Sequence, residues 1–545
     1  MRHRWFAGRS GRFSVLFLFL GIVLIISACG GAQTNTSQST KLAAQQVLTF
    51  PNVGTRDISV MDPAQGPDSN SSQAMGMIYS GLVRLDQQQN VLADQATWTI
   101  SADRKTYTFT LKPGLTFSDG TPLNAQTYVY TLTRALLPAV NSPIASLFLG
   151  NIVGADALSG GKTKTLSGVQ ALNATTLQIT LTKPTEYFLQ VLGSPVAYAL
   201  NQKIIERYGQ TDWVNHVVGN GVGSGPFEVK TWEHNTRMVL APNPHYYGAK
   251  TKLNEVDMIF VNDPSTAFRS YQAHQYDFVW NIAASDLPLA RKQPGYAIQS
   301  LLETDMLFFD NTRAPFNNVA VRQAFAYAIN KNILVKTVFD NSVVAAPTII
   351  PPGMPGYQPN YPGLAFDATK AKALLQSVYP DVSKMPPVTF SFPNSQVSPQ
   401  LSQALQQMWQ SVLGVQVKLQ PVELGAYNTA TANHTIQFGF TQWGADFPDP
   451  YDWLALNLLS TAPNNNGQWS NPEFDQTIAQ AENASGQDRI ALYNKAEQLA
   501  ITGVGWLPID HQALSVILPS YVHGVTLSST GLYFGDWSDV YLLEH

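Results

Sequence analysis

Apolar and polar residues alternate with period two at three well-separated places in the chain. Tyr107, Phe109 and Leu111 alternate with Thr108 and Thr110; Leu177, Ile179 and Leu181 alternate with Gln178 and Thr180; Val415, Val417 and Leu419 repeat the rhythm. Successive strand side chains point to opposite faces, so each run predicts a half-buried strand. Elsewhere the period lengthens. Asn124 stands where a helix cap would, ahead of Val129, Leu132 and Leu136 on one face, because a short polar side chain accepts the free N–H groups of a first turn. Val321, Phe325, Ala328 and Ile329 form a second helical stripe, and a third helix is predicted from Leu401 to Leu413. Strands and helices that interleave in this way predict a mixed α/β class. The stretch from Pro347 to Pro362 (PTIIPPGMPGYQPNYP) is too rich in Pro and Gly for either element. It is expected to be an irregular loop, either linking domains or wrapped over one.

One apolar run fits neither pattern. Arg2, Arg4, Arg9 and Arg12 precede an almost unbroken stretch from Phe13 to Ile26, followed by Ser27, Ala28 and Cys29. A basic start, a short apolar stretch and small residues make a secretory signal, and the run is short beside the ~20 residues of a membrane span. Ile26-Ser27-Ala28-Cys29 resembles the lipobox of bacterial lipoproteins, which implies cleavage before Cys29 and lipidation there. Cys29 is the only Cys in the chain, so no disulfide within it is possible and no Cys-based metal site is expected. Residues 30–46 are rich in Gly, Ser, Thr, Gln and Asn and predict a flexible tether.

The chain has 545 residues, enough for about three structural units at ~150 residues each. Loss of residues 1–28 removes four Arg and no acid, taking the formal net charge from −4 to −8. That acidity argues against nucleic acid as a partner. The 11 Trp, 22 Tyr and 26 Phe supply core, and aromatics also line clefts for partly apolar ligands.

Four blocks follow one another. Met61-Asp62-Pro63 precedes Ile78-Tyr79-Ser80-Gly81-Leu82-Val83. Tyr107 to Gly114 (YTFTLKPG) runs on to Phe117-Ser118-Asp119-Gly120-Thr121-Pro122-Leu123. Gly223-Ser224-Gly225-Pro226-Phe227 precedes Asn243-Pro244-His245-Tyr246-Tyr247-Gly248. The last block is Val321 to Asn330 (VRQAFAYAIN) with Trp443-Gly444-Ala445-Asp446-Phe447-Pro448-Asp449-Pro450. In this order, over roughly Val47 to Leu518, they resemble the extracellular solute-binding family 5, the peptide- and nickel-binding proteins of ABC importers. Much of the pattern has a plain structural reading. Asp119-Gly120 closes a turn, Gly225-Pro226 fixes entry into a strand, and Arg322 supports packing or a surface ion pair.

The resemblance implies a two-lobed periplasmic-binding-protein-like α/β fold (type II, large cluster C-like) with an extra inserted domain. The corresponding divisions are a signal peptide at 1–28, a tether at 29–46, and a core domain of lobe one at 47–72, 187–283 and 515–545. An inserted domain covers 73–186, and lobe two covers 284–514. It implies a monomer that captures peptides between closing lobes and delivers them to an ABC permease with its ATPase subunits. Such a protein works outside the cytoplasm, in the periplasmic space or its equivalent, here held to the membrane by lipid on Cys29. No cofactor is implied.

In peptide-binding members, the aspartate three residues after the Trp pairs with the ligand's terminal ammonium; that position is Asp446. An ammonium taken out of water needs a charged acceptor, and nickel-binding relatives tend to lack this acid. Asp449 is expected to brace the loop. The family also holds extended peptides by strand addition, which implies lining strands near Ser59, Val60 and Met61 and near Gln442, Trp443 and Gly444. Trp443 reads equally well as a core aromatic. Phe440 departs from the pattern, because some oligopeptide members carry there an Arg for the ligand carboxylate. Nickel complexes, haem or oligosaccharide therefore stay open as ligands.

Enzyme templates are missing from the sequence. Val222 and Pro226 replace the glycines of a nucleophile elbow around Ser224, there is no H-E-x-x-H, and the 9 His are scattered. The remaining catalytic alternative is a glycoside hydrolase using Asp446 and Asp449. The expectation is a binding protein, with no catalytic residue.

Overall fold

The computed structural model describes residues 41–66, 68–394, 398–533 and 535–545. The signal, Cys29 and most of the tether lie outside these residues. Strands Thr106–Leu111 and Thr176–Thr180 form where alternation predicted them, as neighbours in a four-stranded antiparallel sheet with Ala96–Ile100 and Val169–Asn173 on its edges. Tyr107, Phe109 and Leu111 are all buried while the Thr between them face outward. Helix Ala125–Ala135 packs on this sheet, and the Asn124 side chain accepts the Gln126 N–H in a capping box with Thr127.

A second four-stranded sheet is ordered Val47–Val53, Glu255–Val261, Arg237–Pro242, Phe227–Glu233. Its first pair is parallel, so the start of the described chain is stitched to a segment two hundred residues on. Leu48 and Phe50 from that first strand enter a core with Met238 and Met258.

The largest sheet has seven strands. Leu507–Ile517, Tyr296–Phe309, Phe438–Gly444, Val388–Pro393 and Val417–Val422 follow in order, with the short Val279–Trp280 at one edge and Val344–Ala345 beside Leu507–Ile517. The last six residues of Tyr296–Phe309 are buried on both faces, as befits a strand covered on both sides. Beneath it Phe325, Phe390, Trp409 and Phe438 pack ring against ring at 4.9–6.0 Å. Val321 and Phe325 lie on helix Val319–Tyr327, whereas Ala328 and Ile329 sit just past its end and stay fully buried. Helix Pro399–Leu413 carries Trp409. Among the described residues Arg322 makes no ion pair: its guanidinium donates to the carbonyls of Phe316 and Gly503 and supports packing. The stretch from Pro347 to Pro362 contains no strand or helix. Ile349, Ile350 and Met354 bury into the large sheet's core, so the loop is wrapped over one domain.

Candidate functional site

Strand Phe438–Gly444 pairs with Tyr296–Phe309 up to Gly444, opposite Glu303, and there the ladder ends. The chain then turns through Ala445–Pro448 into helix Pro450–Leu458, whose cap is Asp449. Asp449 Oδ1 accepts the Tyr451 N–H at 2.9 Å, and both carboxylate oxygens receive the Arg489 guanidinium at 2.7 Å. Both partners are buried, at 5% and 4% exposure. Asp449 is therefore a loop brace, and its charge is fully committed.

Asp446 stands differently. Its side chain is exposed on a cavity of about 690 Å³, which Gly444 and Ala445 also line. Among the described residues its carboxylate accepts no hydrogen bond and joins no ion pair. Solvent reaches it through the open cleft while protein crowds it from the sides, and this desolvation pushes its pKa up to about 6. The residue after it is anchored across the cavity. The Phe447 ring stacks on Tyr187 at 4.8 Å and meets the edge of Phe148 at 5.8 Å, within the core of the Thr106–Leu111 sheet; Tyr451 stacks on Tyr187 at 4.8 Å.

Other segments also line the cavity. Helix Ser69–Ile78 presents Ser72 and Gln73, and Arg84, Asp94, Pro226, Tyr246 and Trp280 contribute to it. Arg84 is the single Lys or Arg on the lining, and it favours the ionised carboxylates of Asp86 and Asp94. Asp94 also accepts the Tyr247 hydroxyl, yet burial raises its pKa.

Of the residues singled out from sequence, Asp446 and Gly444 meet on the cavity. Trp443 and Gln442 do not line it. The Trp443 indole N–H turns inward to Asp452 at 3.1 Å, and Gln442 donates to buried Asp305 at 2.8 Å. Ser59, Val60 and Met61 do not line it either, and the strand expected there is not formed. Ser59 Oγ is bonded to Asp68, the Val60 N–H goes to Ser71 Oγ at 3.3 Å, and Met61 is buried in a core. The Ser59 hydroxyl and the Val60 N–H are thus engaged locally.

Under the strand lies a buried polar layer. Asp305 accepts from Gln442 and Gln512, and Gln512 also donates to Asp510. Burial pushes Asp305 up to about 7 and Asp510 well above the carboxylate range, and lowers Lys331 to about 7 and His511 to about 3. Among the described residues, no group of three His, Cys, Asp or Glu is placed to hold a metal ion, and no helix is long and apolar enough to cross a membrane.

Residues 88–465 match the model of the bacterial extracellular solute-binding proteins, family 5. The chain is 28% identical over 540 residues to the oligopeptide-binding protein OppA of Bacillus subtilis, covering 96% of this chain and 98% of that one. It is also 28% identical over 542 residues to a probable deoxycholate-binding periplasmic protein, YgiS, of Escherichia coli, covering 96% and 99%. The unliganded open form of the periplasmic murein tripeptide binding protein MppA superposes with a TM-score of 0.79 at 26% identity, covering 93% and 99%. The periplasmic binding protein DppA of Helicobacter pylori, an ABC transporter-associated protein in complex with the peptide STSA, gives 0.74 at 25%, covering 92% and 99%.

Proposed function

Because the chain belongs to family 5 of the bacterial extracellular solute-binding proteins, we propose that it captures peptides outside the cytoplasm and delivers them to an ABC permease. The observation that carries this reading is Asp446: a carboxylate without a partner among the described residues, on the wall of a cavity of about 690 Å³. An unpaired charge that is partly desolvated in a cleft is an acceptor awaiting a cation, and a peptide's free amino terminus is one. Arg84, on the lining of the same cavity, supplies a cation for a ligand carboxylate in place of the Arg absent at Phe440. The bare acid at Asp446 disfavours a purely anionic ligand such as a bile acid.

In this reading Gly444 and Asp446 contact the ligand, while Trp443 and Gln442 anchor the strand through Asp452 and Asp305. The chemistry is binding rather than catalysis, since Asp449 is locked to Arg489 and unavailable as a partner acid. We divide the chain into lobe one at 47–72, 187–283 and 515–545 with an inserted domain at 73–186, and lobe two at 284–514; separate cores around Phe109, Met238 and Phe308 support three such units, although Met75 and Ile78 pack in the core of lobe one. Lipid on Cys29 tethers the mature monomer to the membrane. Mass spectrometry of an organic extract of the purified protein, followed by calorimetry with a free-amine peptide and its N-acetylated twin, tests the proposal. Recovery of peptides and preference for the free amine are expected; equal binding of both twins would remove Asp446 from its role.

A further inference from the structure

Asp452 is fully buried in the first turn of helix Pro450–Leu458, and its two oxygens have different fates. Oδ2 accepts the Trp443 indole N–H and the Asp446 backbone N–H, each at 3.1 Å. Those donors flank Gly444 and Ala445, so one oxygen ties together both ends of the segment that forms the cleft wall. Oδ1 is buried and has no partner among the described residues. Asp446 and Asp449 are the nearest charged groups on its own segment. From helix Gly486–Gly503, packed against it, Arg489 is occupied by Asp449 and lies 3.6 Å from Glu482 of helix Pro472–Asn483. A buried carboxylate with one bare oxygen among other acids is costly to ionise, whereas a neutral carboxyl is tolerated. Burial and the neighbouring Asp446 accordingly hold its proton on well above the usual carboxylate range.

We infer that Asp452 is a positioning residue for ammonium capture, an uncharged carboxyl that touches no ligand, pins Trp443 and Asp446 from behind, and leaves Asp446 to present the charge. This rests on the reading of Asp446 as the ammonium partner. Asn at 452 keeps a carbonyl oxygen where Oδ2 sits and carries no charge, so it preserves the brace. Ala removes the acceptor and leaves two N–H groups unanswered.

The test mixes each protein with a random tripeptide pool, half of it N-acetylated, and measures the free-amine enrichment of the retained fraction by mass spectrometry. Wild type should enrich the free amines, Asp452→Asn should stay within about threefold of it, and Asp452→Ala should lose about tenfold of the enrichment. Should the Ala protein fail to fold, Asp452→Glu, which displaces the oxygen by one methylene, takes its place with the same expected loss. Wild-type enrichment in the Ala or Glu variant overturns the inference, and so does an Asn variant as deficient as Asp446→Ala, since the charge would then matter. If wild type retains both halves of the pool equally, the reading of Asp446 fails first, and that is visible before any Asp452 variant is compared.

Discussion

Arg489→Met tests the brace beneath the site. The substitution deletes two 2.7 Å charge-assisted bonds to Asp449 and leaves that carboxylate, 5% exposed, with only the Tyr451 N–H. Glu482, 3.6 Å from the same guanidinium, keeps Lys183 at 3.6 Å, so the stranded charge is that of Asp449. Stranding one member of a buried pair costs about 3–5 kcal/mol, because the remaining charge has neither water nor partner. In a lobe of this size that corresponds to a fall in Tm of roughly 6–20 °C. Asp449→Asn should cost less, since its side-chain oxygen still caps the helix. The double variant should recover part of the Arg489→Met loss, because no bare charge is left behind. The assay is urea unfolding followed by tryptophan fluorescence at neutral pH, in low and in high salt. A buried pair is screened little, so the cost should persist in salt. A loss below about 1 kcal/mol, vanishing in salt, is the signature of a surface pair and would refute the argument.

Asp446→Ala should weaken binding of a free-amine peptide by about 30-fold to several thousand-fold, read by calorimetry. Asp446 titrates near pH 6, and its ionised form holds the ammonium. Affinity for free-amine peptides should therefore fall as pH drops from 7 to 5, with a flat profile in Asp446→Ala. Asp510 has a folded pKa well above its unfolded one, so the stability it contributes is complete at acid pH and lost as pH rises through the raised value. Asp510→Asn, which fixes the neutral form, should raise Tm relative to wild type more at pH 8 than at pH 5. The lipid reading is checked by Cys29→Ala, which should abolish acyl labelling, as no other Cys exists to take lipid.

The sheet of Thr106–Leu111 was legible because alternation is a local consequence of having one wet face, and Asn124 was legible because a cap is a local bond. Asp446 was readable through the block around it. Its neighbours in space were not. Ser72, Arg84, Asp94 and Tyr246 become cleft wall only when distant segments meet, and Pro226 already had a reading as entry into a strand. The same limit applies to residues 59–61: the bonds of Ser59 to Asp68 and of Val60 to Ser71 are a matter of folded geometry. Asp452 carried no signal at all. An acid in the first turn of a helix is ordinary, since it complements the helix dipole, and its burial appears only in three dimensions.

Phe447 adds a kinetic consequence. It directly follows the ammonium acceptor, yet its ring belongs to a core on the other side of the cavity, between Tyr187 and Phe148. Separation of the two walls at that end has to unplug it and pull Tyr451 from Tyr187. Aromatic pairs of this kind contribute about 0.5–1.5 kcal/mol each beyond burial. Three of them slow the unplugging by roughly one to three powers of ten. Where release of cargo needs those walls to part, its dwell time depends on a rivet outside the lining of the cavity of about 690 Å³, and two chains with the same affinity release a peptide on different clocks.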